Sequence, residues 1–197
     1  MKPIVFNAQM VRAILEGRKT VTRRVVKFPR GWNPKFTGYI PDGAVLYGSN
    51  NIPAAKAPVQ VGDVLWVRET WSRMETGQYL YKADNEKPIS YLGWRPSIHM
   101  PREAARIFLR VTDVRVERLQ DITPDQIDAE GCKEWAYSAT TGELLPSGPL
   151  WFKIAWDSTV KAKNMSTYSW DANPWVWVIE FERINKEEEA VWTMKSC

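Results

Sequence analysis

The residues from Gly17 to Arg24 are those whose types and spacing could carry out chemistry. After Gly17 come Arg18, Lys19, Thr20, Val21, Thr22, Arg23 and Arg24. A threonine hydroxyl is a poor nucleophile until a base removes its proton, and a lysine can be that base if burial or nearby positive charge lowers its pKa. Lys19 and Thr22 are therefore candidates for a base and a nucleophile, or for two groups that activate and orient water. A basic helix end followed by an ordinary threonine-rich strand is the alternative interpretation.

A helix and a strand must position these groups. Asn7 is a predicted N-cap, and the apolar residues that follow it at helical spacing end at Leu15. Gly17 then ends the helix, and the β-branched residues 20–26 predict a strand. Side chains three residues apart face the same way only where the chain turns. We therefore expect a turn that brings Lys19 and Thr22 to one cavity.

The remaining periodicity predicts an α+β fold in a single domain, residues 1–185. Several non-contiguous strands with a few helices favour a small closed or nearly closed β-barrel, mixed or antiparallel, with flanking helices. Residues 28–60 are rich in Pro, Gly and Asn and predict a long irregular loop, while residues 186–197 predict a frayed tail. The other predicted strands are 64–69, 79–82, 107–118, whose alternation predicts half-exposure, and 175–182. The other predicted helices are 123–130, which begins with an N-cap at Thr123 and a capping-box Gln126, and 150–162.

Composition narrows the class of protein. The chain has 197 residues, 44% of them hydrophobic, which allows a real core. No apolar run approaches the roughly 20 residues that span a bilayer, and the N-terminus lacks the pattern of a signal peptide. With only two cysteines, we expect free thiols, a cytoplasmic protein and no membrane partner. The single histidine and the absence of nucleotide-binding and zinc motifs predict that no metal or other cofactor is used. The oligomeric state is open, with a monomer favoured.

Charge is unevenly distributed. Residues 1–35 contain nine Lys or Arg and one acidic residue, Glu16. Such a cluster fits an anionic or nucleic-acid partner, and it fits a solvated basic face equally well.

Several motifs resemble one known family. Gly17, Lys19, Thr22 and Arg24 fill a GxKxxTxR pattern similar to that of the ASCH family. The Gly62-Asp63-Val64-Leu65 turn and strand resembles the family as well. Three stretches look like a phage- and prophage-associated branch of it, namely residues 65–71, 96–102 and 173–177. The resemblance runs from Ile4 to about Ile184.

This resemblance implies a PUA-like β-barrel and a role linked to RNA. Small bacterial members similar to this chain are N4-acetylcytidine amidohydrolases, hydrolases that remove the acyl group from the exocyclic nitrogen of cytosine. Carried over by motif, their functional residues are Lys19, Thr22 and Glu130. The chain departs from them by its greater length, by Arg23 and by the loop at 28–60. An N4-acylcytidine-like nucleoside is the expected substrate, and RNA is a further candidate partner. A non-catalytic module that binds RNA or modified nucleic acid is the alternative function, and a ribonuclease is less favoured.

Ten further residues are candidates for binding the substrate. Arg68 and Glu69 are adjacent on a strand, so we expect one to point inward and to need a partner. Aromatic rings at positions 71 and 94 could stack on a base, and the segment at 97–102 could close over the cleft. Packing within the protein is the alternative for each. The ten are Thr20, Arg23, Arg24, Arg68, Glu69, Trp71, Trp94, Ser97, His99 and Arg102.

Overall fold

The α+β prediction is confirmed by a computed structural model, which describes residues 1–28, 38–40, 45–47, 53–84, 93–132, 149–185 and 188. The helices are α1 (Ala8–Leu15), α2 (Pro124–Ala129), α3 (Pro149–Thr159) and α4 (Met165–Tyr168). The strands are β1 (Lys2–Val5), β2 (Val21–Val25), β3 (Gly38–Ile40), β4 (Val45–Tyr47), β5 (Pro53–Lys56), β6 (Val64–Arg68), β7 (Trp71–Arg73), β8 (Tyr79–Tyr81), β9 (Phe108–Arg118) and β10 (Trp175–Ile184). None of these described helices is long and apolar enough to cross a membrane.

The main sheet is mixed and open, so the predicted closed barrel is wrong for the part of the chain that the structure describes. Its five strands lie in the order β1-β6-β9-β10-β2. β1 is parallel to β6, whereas β6 with β9 and β10 with β2 are antiparallel. β1 contains Pro3, which has no N–H to donate, as is usual in an edge strand. Closure would require hydrogen bonds between β1 and β2, which are instead the two edges.

Two smaller sheets complete the β-structure. β7 and β8 form an antiparallel pair, and β3, β4 and β5 form an antiparallel sheet of three. The sheet of β3, β4 and β5 lies in the segment 28–60, so the prediction of an irregular loop is wrong for these strands. Pro, Gly and Asn between such short strands obscured their alternation. Within 28–60, residues 29–37, 41–44 and 48–52 lie outside the described residues, as does the predicted tail apart from residue 188.

The chain forms two compact units. The first unit comprises Met1–Lys19, Gly62–Val111 and Phe181–Cys197, and the second comprises Thr20–Val61 and Thr112–Glu180. Burial of apolar side chains stabilises each of them. The core of the first contains Val64, Trp66, Trp71, Met100, Ala104, Ala105, Phe108 and Ile184. The core of the second contains Val21, Leu119, Ile122, Ile127, Cys132, Phe152, Val176 and Val178.

The predicted helix ends are confirmed at α1 and α2. The side chain of Asn7 accepts a hydrogen bond from the backbone N–H of Met10, 2.8 Å away, and caps α1. Gly17 follows the helix at a φ of 75°, a conformation that costs glycine little. α2 begins with the predicted capping box, in which Thr123 and Gln126 each accept a hydrogen bond from the other's backbone N–H.

Candidate functional site

Burial distinguishes a small set of polar residues. Charged side chains are almost never fully buried unless they are paired, because burial removes their hydration. Among the described residues, the buried polar or charged ones are Lys19, Thr22, Arg23, Glu69, Ser72 and Glu130. Five of these six were candidates from the sequence, Ser72 being the exception. Three of them, with Arg24, lie close together in the second unit.

Thr22 lies on β2 and is held by its neighbour. Nη1 of Arg24 donates to Oγ1 of Thr22 at 2.7 Å and to the backbone oxygen of Arg23 at 2.9 Å. Because the Thr22 oxygen accepts this bond, its own hydrogen remains to be donated. Burial lowers the pKa of the Arg24 guanidinium, and the negative charge of Glu130 opposes that shift. An arginine remains protonated under such conditions, so Arg24 places a positive charge beside the hydroxyl.

Glu130 lies at the C-terminal end of α2, where three backbone hydrogen bonds fix the chain. The N–H of Thr20 donates to the oxygen of Ala129 at 2.9 Å and ties the start of β2 to the end of the helix. The N–H of Glu130 donates to the oxygen of Gln126 at 3.0 Å, and the N–H of Gly131 donates to the oxygen of Asp128 at 2.9 Å, where Gly131 turns the chain at a φ of 80°. The carboxylate is therefore carried by a backbone that is anchored on both sides.

Arg23 links three elements of the second unit. Its side chain is fully buried, and Nη1 donates to Oε1 of Glu130 at 3.2 Å. Nη2 donates to Oε1 of Gln126 on α2 at 2.8 Å and to Oε2 of Glu117 on β9 at 3.3 Å. The guanidinium lies 6.0 Å from the ring centroid of Phe152. Arg23 therefore joins β2, β9 and α2 at the position of Glu130.

The sequence did not predict that Glu117 and Gln126 accept hydrogen bonds from Arg23. Glu117 also accepts a hydrogen bond from Nε of Arg115 at 2.6 Å, and Arg115 reaches Asp113 as well. These charges recur at every second residue of β9, which places them on one face of the strand. That alternation was a usable signal for a charged stripe, whereas nothing in the sequence indicates that Gln126 accepts from Arg23.

Lys19 belongs to the first unit. Its backbone N–H donates to the oxygen of Ala13 at 3.0 Å, in the turn that ends α1. This turn precedes Lys19, whereas the turn expected from the sequence lies between Lys19 and Thr22, where β2 begins at Val21. The side chain is buried, with Nζ 5.5 Å from the ring centroid of Phe6, within the range of a cation–π interaction. The expectation that Lys19 and Thr22 face one cavity stays a prediction.

Glu69 is the inward-facing charge expected from the pair with Arg68, and it has the partner that burial requires. Nε and Nη2 of Arg106 donate to its two carboxylate oxygens at 2.8 and 3.0 Å. Arg106 also binds Asp84 and stacks 3.9 Å from the ring centroid of Tyr81. Burial raises the pKa of the Glu69 carboxyl, although Arg106 acts in the opposite direction.

The aromatic candidates of the first unit differ in exposure. Trp71 begins β7 with 4% of its surface exposed, and it packs in the core with Arg95 5.1 Å from its ring centroid and Tyr79 at its edge. Its structural role is therefore packing, and the ring offers little surface to a base. Trp94 is half-buried.

The other candidates lie nearer the surface. Arg68 is half-buried and stacks 4.8 Å from the ring centroid of Trp66. Ser97 is half-buried, whereas His99 and Arg102 are exposed, and all three lie in two short 3-10 turns. Thr20 is exposed in the second unit. Burial thus separates these residues from Thr22, Arg23 and Glu130.

The basic cluster near the N-terminus is largely committed to partners within the protein. Lys2 pairs with Asp63, and Nε of Arg12 donates to the backbone oxygen of Ala83 at 2.7 Å. Arg18 pairs with Glu16. Lys19 and Arg23 are also buried, so few of the described basic side chains in this cluster are available to bind phosphates.

No group of three His, Cys, Asp or Glu side chains that could hold a metal ion occurs within the residues that the structure describes. The buried candidates themselves supply an amine, a hydroxyl, a guanidinium group and carboxylates.

No family model matches the chain, and no curated protein matches it. Among solved structures, the chain is similar to that of protein EF3133 from Enterococcus faecalis V583, described by the family model DUF984. The two are 11% identical, and the alignment covers 93% of this chain and 81% of the other with a TM-score of 0.37. A likeness this weak assigns neither a fold family nor an activity.

Proposed function

We propose that the protein is an amidohydrolase of the ASCH family, from its phage-associated branch, that removes the acyl group from N4-acylated cytosine or cytidine. Lys19, Thr22 and Glu130 are its reactive groups, without a metal ion. The observation that carries the proposal is burial: the three residues are 2%, 2% and 6% exposed. A lysine and a glutamate chosen from a sequence motif are expected on the surface unless the fold has a use for them inside.

The reaction adds one water across the amide C–N bond, so the acyl group leaves as a carboxylic acid and N4 leaves as the amine of cytosine. In one scheme Thr22 attacks the acyl carbon, Lys19 takes the hydroxyl proton and passes it to the departing amine, and Glu130 orients the lysine. Water then hydrolyses the acyl-threonine ester, which releases the carboxylic acid and restores Thr22. In the other scheme Lys19 and Glu130 activate water while Thr22 orients the amide. The bond from Arg24 to Thr22 supports the first scheme, because a positive charge beside the threonine oxygen stabilises the negative charge that develops on it during attack.

RNA binding without cleavage is the second candidate. The basic cluster near the N-terminus favours it, but the internal partners of Lys2, Arg12 and Arg18 reduce its capacity to bind phosphates. A binding module also has no need of the buried carboxylate at Glu130, whose charge repels phosphate. The amidohydrolase gives a role to Lys19, Thr22 and Glu130 together, so it is preferred.

The test is the conversion of N4-acetylcytidine to cytidine, followed by ultraviolet absorbance. We expect Lys19→Ala, Thr22→Val and Glu130→Gln each to lower kcat by about 10²–10⁴-fold, the range typical of a lost acid, base or nucleophile. Lys163→Ala is the matched control, because Lys163 is exposed in a 3-10 turn and has no assigned role. Its kcat should equal that of the wild type.

Intact-mass measurement of an acid-quenched reaction distinguishes the two schemes. An added acetyl group that is absent in Thr22→Val supports Thr22 as the nucleophile. Absence of wild-type turnover, combined with salt-sensitive binding of single-stranded RNA, would refute the amidohydrolase and support the second candidate.

A further inference from the structure

Arg23 lies between Thr22 and Arg24, at a position that the GxKxxTxR motif leaves unspecified. Its guanidinium is fully buried, yet it is bonded to two carboxylates and an amide oxygen from two other elements. Buried ion pairs are weak evidence for stability, because the cost of removing the charges from water offsets their attraction. The arrangement therefore needs a reason beyond holding the fold together.

The guanidinium of Arg23 leaves one of its nitrogen donors without a hydrogen bond to any described residue, which lowers its contribution to the stability of the fold. Its Nε is buried and has no hydrogen-bond partner in the described structure. An unsatisfied buried donor is destabilising, and such groups are uncommon enough in proteins to call for an explanation. Both Nη atoms are committed instead, and one of them is directed at Glu130. The guanidinium is therefore placed to bind the Glu130 carboxylate, and not to form every hydrogen bond that its donors allow.

We propose that Arg23 is a positioning residue that holds the Glu130 carboxylate in its reactive orientation. The inference rests on the proposed function, in which Glu130 takes part in the reaction. A glutamate side chain has three rotatable bonds, and Glu130 follows a helix of only six residues. The bond from Nη1 to Oε1 restricts that freedom, while the bonds from Nη2 anchor the guanidinium to Gln126 and Glu117.

Each anchor of Arg23 is itself fixed. Oε1 of Gln126 also accepts the backbone N–H of Thr123 in the capping box, so the same oxygen closes the helix and holds the arginine. Glu117 is held from its other side by Arg115. A planar fork of donors can serve several acceptors in fixed directions, whereas the single ammonium of a lysine cannot.

The experiment compares Arg23→Lys with Glu117→Gln in the N4-acetylcytidine assay. Arg23→Lys keeps the positive charge but loses the fork, and we expect kcat to fall about 10–100-fold, as for other residues that orient a reactive group, with KM within about threefold of wild type. Glu117→Gln removes the negative charge at the opposite end of the same arginine but keeps a side-chain oxygen that can accept from Nη2, and it leaves the bond to Glu130 in place. Its kcat should stay within about threefold of wild type.

Thermal denaturation of both variants separates positioning from stability. Arg23→Lys loses hydrogen bonds of the guanidinium and Glu117→Gln loses one ion pair of Arg23, so similar shifts in Tm with different kcat values support positioning. Equal losses of kcat in the two variants, or an unchanged kcat in Arg23→Lys, would overturn the inference while wild-type turnover leaves the proposed function standing. Failure of the wild type to hydrolyse the substrate refutes the proposed function and the inference together.

A second variant serves if Arg23→Lys does not fold. Gln126→Met removes the α2 anchor of Arg23, together with the capping-box bond that the same oxygen accepts from Thr123, and leaves both charges of the Arg23–Glu130 pair in place. We expect a loss in kcat of about 3–10-fold at constant KM, smaller than for the arginine because one anchor remains. A kcat equal to that of wild type would contradict the positioning role.

Discussion

Replacing Arg106 by methionine tests how the first unit tolerates a buried carboxylate. Glu69 is 1% exposed and receives two hydrogen bonds from Arg106, at 2.8 and 3.0 Å. Methionine fills a similar volume and can lie against Tyr81, but it donates nothing to Glu69. The variant therefore leaves a negative charge buried without the partner that burial requires.

The expected loss of unfolding free energy follows from how deeply each partner of Arg106 is buried. Removing one partner of a buried pair costs about 3–5 kcal/mol. The Arg106 side chain is 26% exposed, so the lower end, about 3 kcal/mol, is expected. Its bond to Asp84, which is 43% exposed, adds about 0–1 kcal/mol at most. Asp84→Asn is therefore the matched surface control.

The loss should depend on pH in a definite direction. Burial raises the pKa of Glu69, and losing Arg106 removes the hydrogen bonds and the charge that act against this rise. Between the unfolded and folded pKa values the folded state binds more protons, so the free energy of unfolding falls as pH increases. The difference between wild type and Arg106→Met should thus be smaller at pH 5 than at pH 8.

Urea denaturation followed by tryptophan fluorescence measures these free energies. The double variant Arg106→Met/Glu69→Met is the decisive control, because apolar replacement of a whole buried pair is often neutral or stabilising. It should recover most of the loss. If Arg106→Met is within about 1 kcal/mol of wild type at pH 8, Arg106 does not support the buried Glu69 and the reasoning fails.

Two further variants test individual features of the described structure by the same urea method. Gly17→Ala should cost about 1–2 kcal/mol, because φ is 75° while nothing lies within 4 Å of the added Cβ, so only backbone strain acts; an unchanged stability would show that the turn relaxes freely. Ser72→Ala should be neutral or stabilising by up to about 1 kcal/mol, because the buried Ser72 Oγ has no hydrogen-bond partner. A clear loss of stability in Ser72→Ala would reveal a bond that the structure does not contain.

Local patterns determined the elements that carry the candidate residues. The N-cap at Asn7, the stop at Gly17 and the capping box at Thr123 each depend on backbone groups a few residues away, so composition and spacing were sufficient. Alternation along β9 and β10 predicted those strands for the same reason. The strands between residues 38 and 56 were not predicted, because each is too short to show a clear alternation. β1 was not predicted, because it is defined by its pairing with β6, in which Lys2 lies opposite Leu65, 63 positions away.

The sequence by itself determined the α+β class, the ends of the helices and a set of polar residues chosen by type and motif. Only the tertiary structure decided which of those residues are buried, since burial depends on packing between segments far apart in the chain. It selected Thr22, Arg23 and Glu130 over the exposed His99 and Arg102. It also gave Arg23 its partners, which lie 94 to 107 positions away along the chain and which no local pattern specifies.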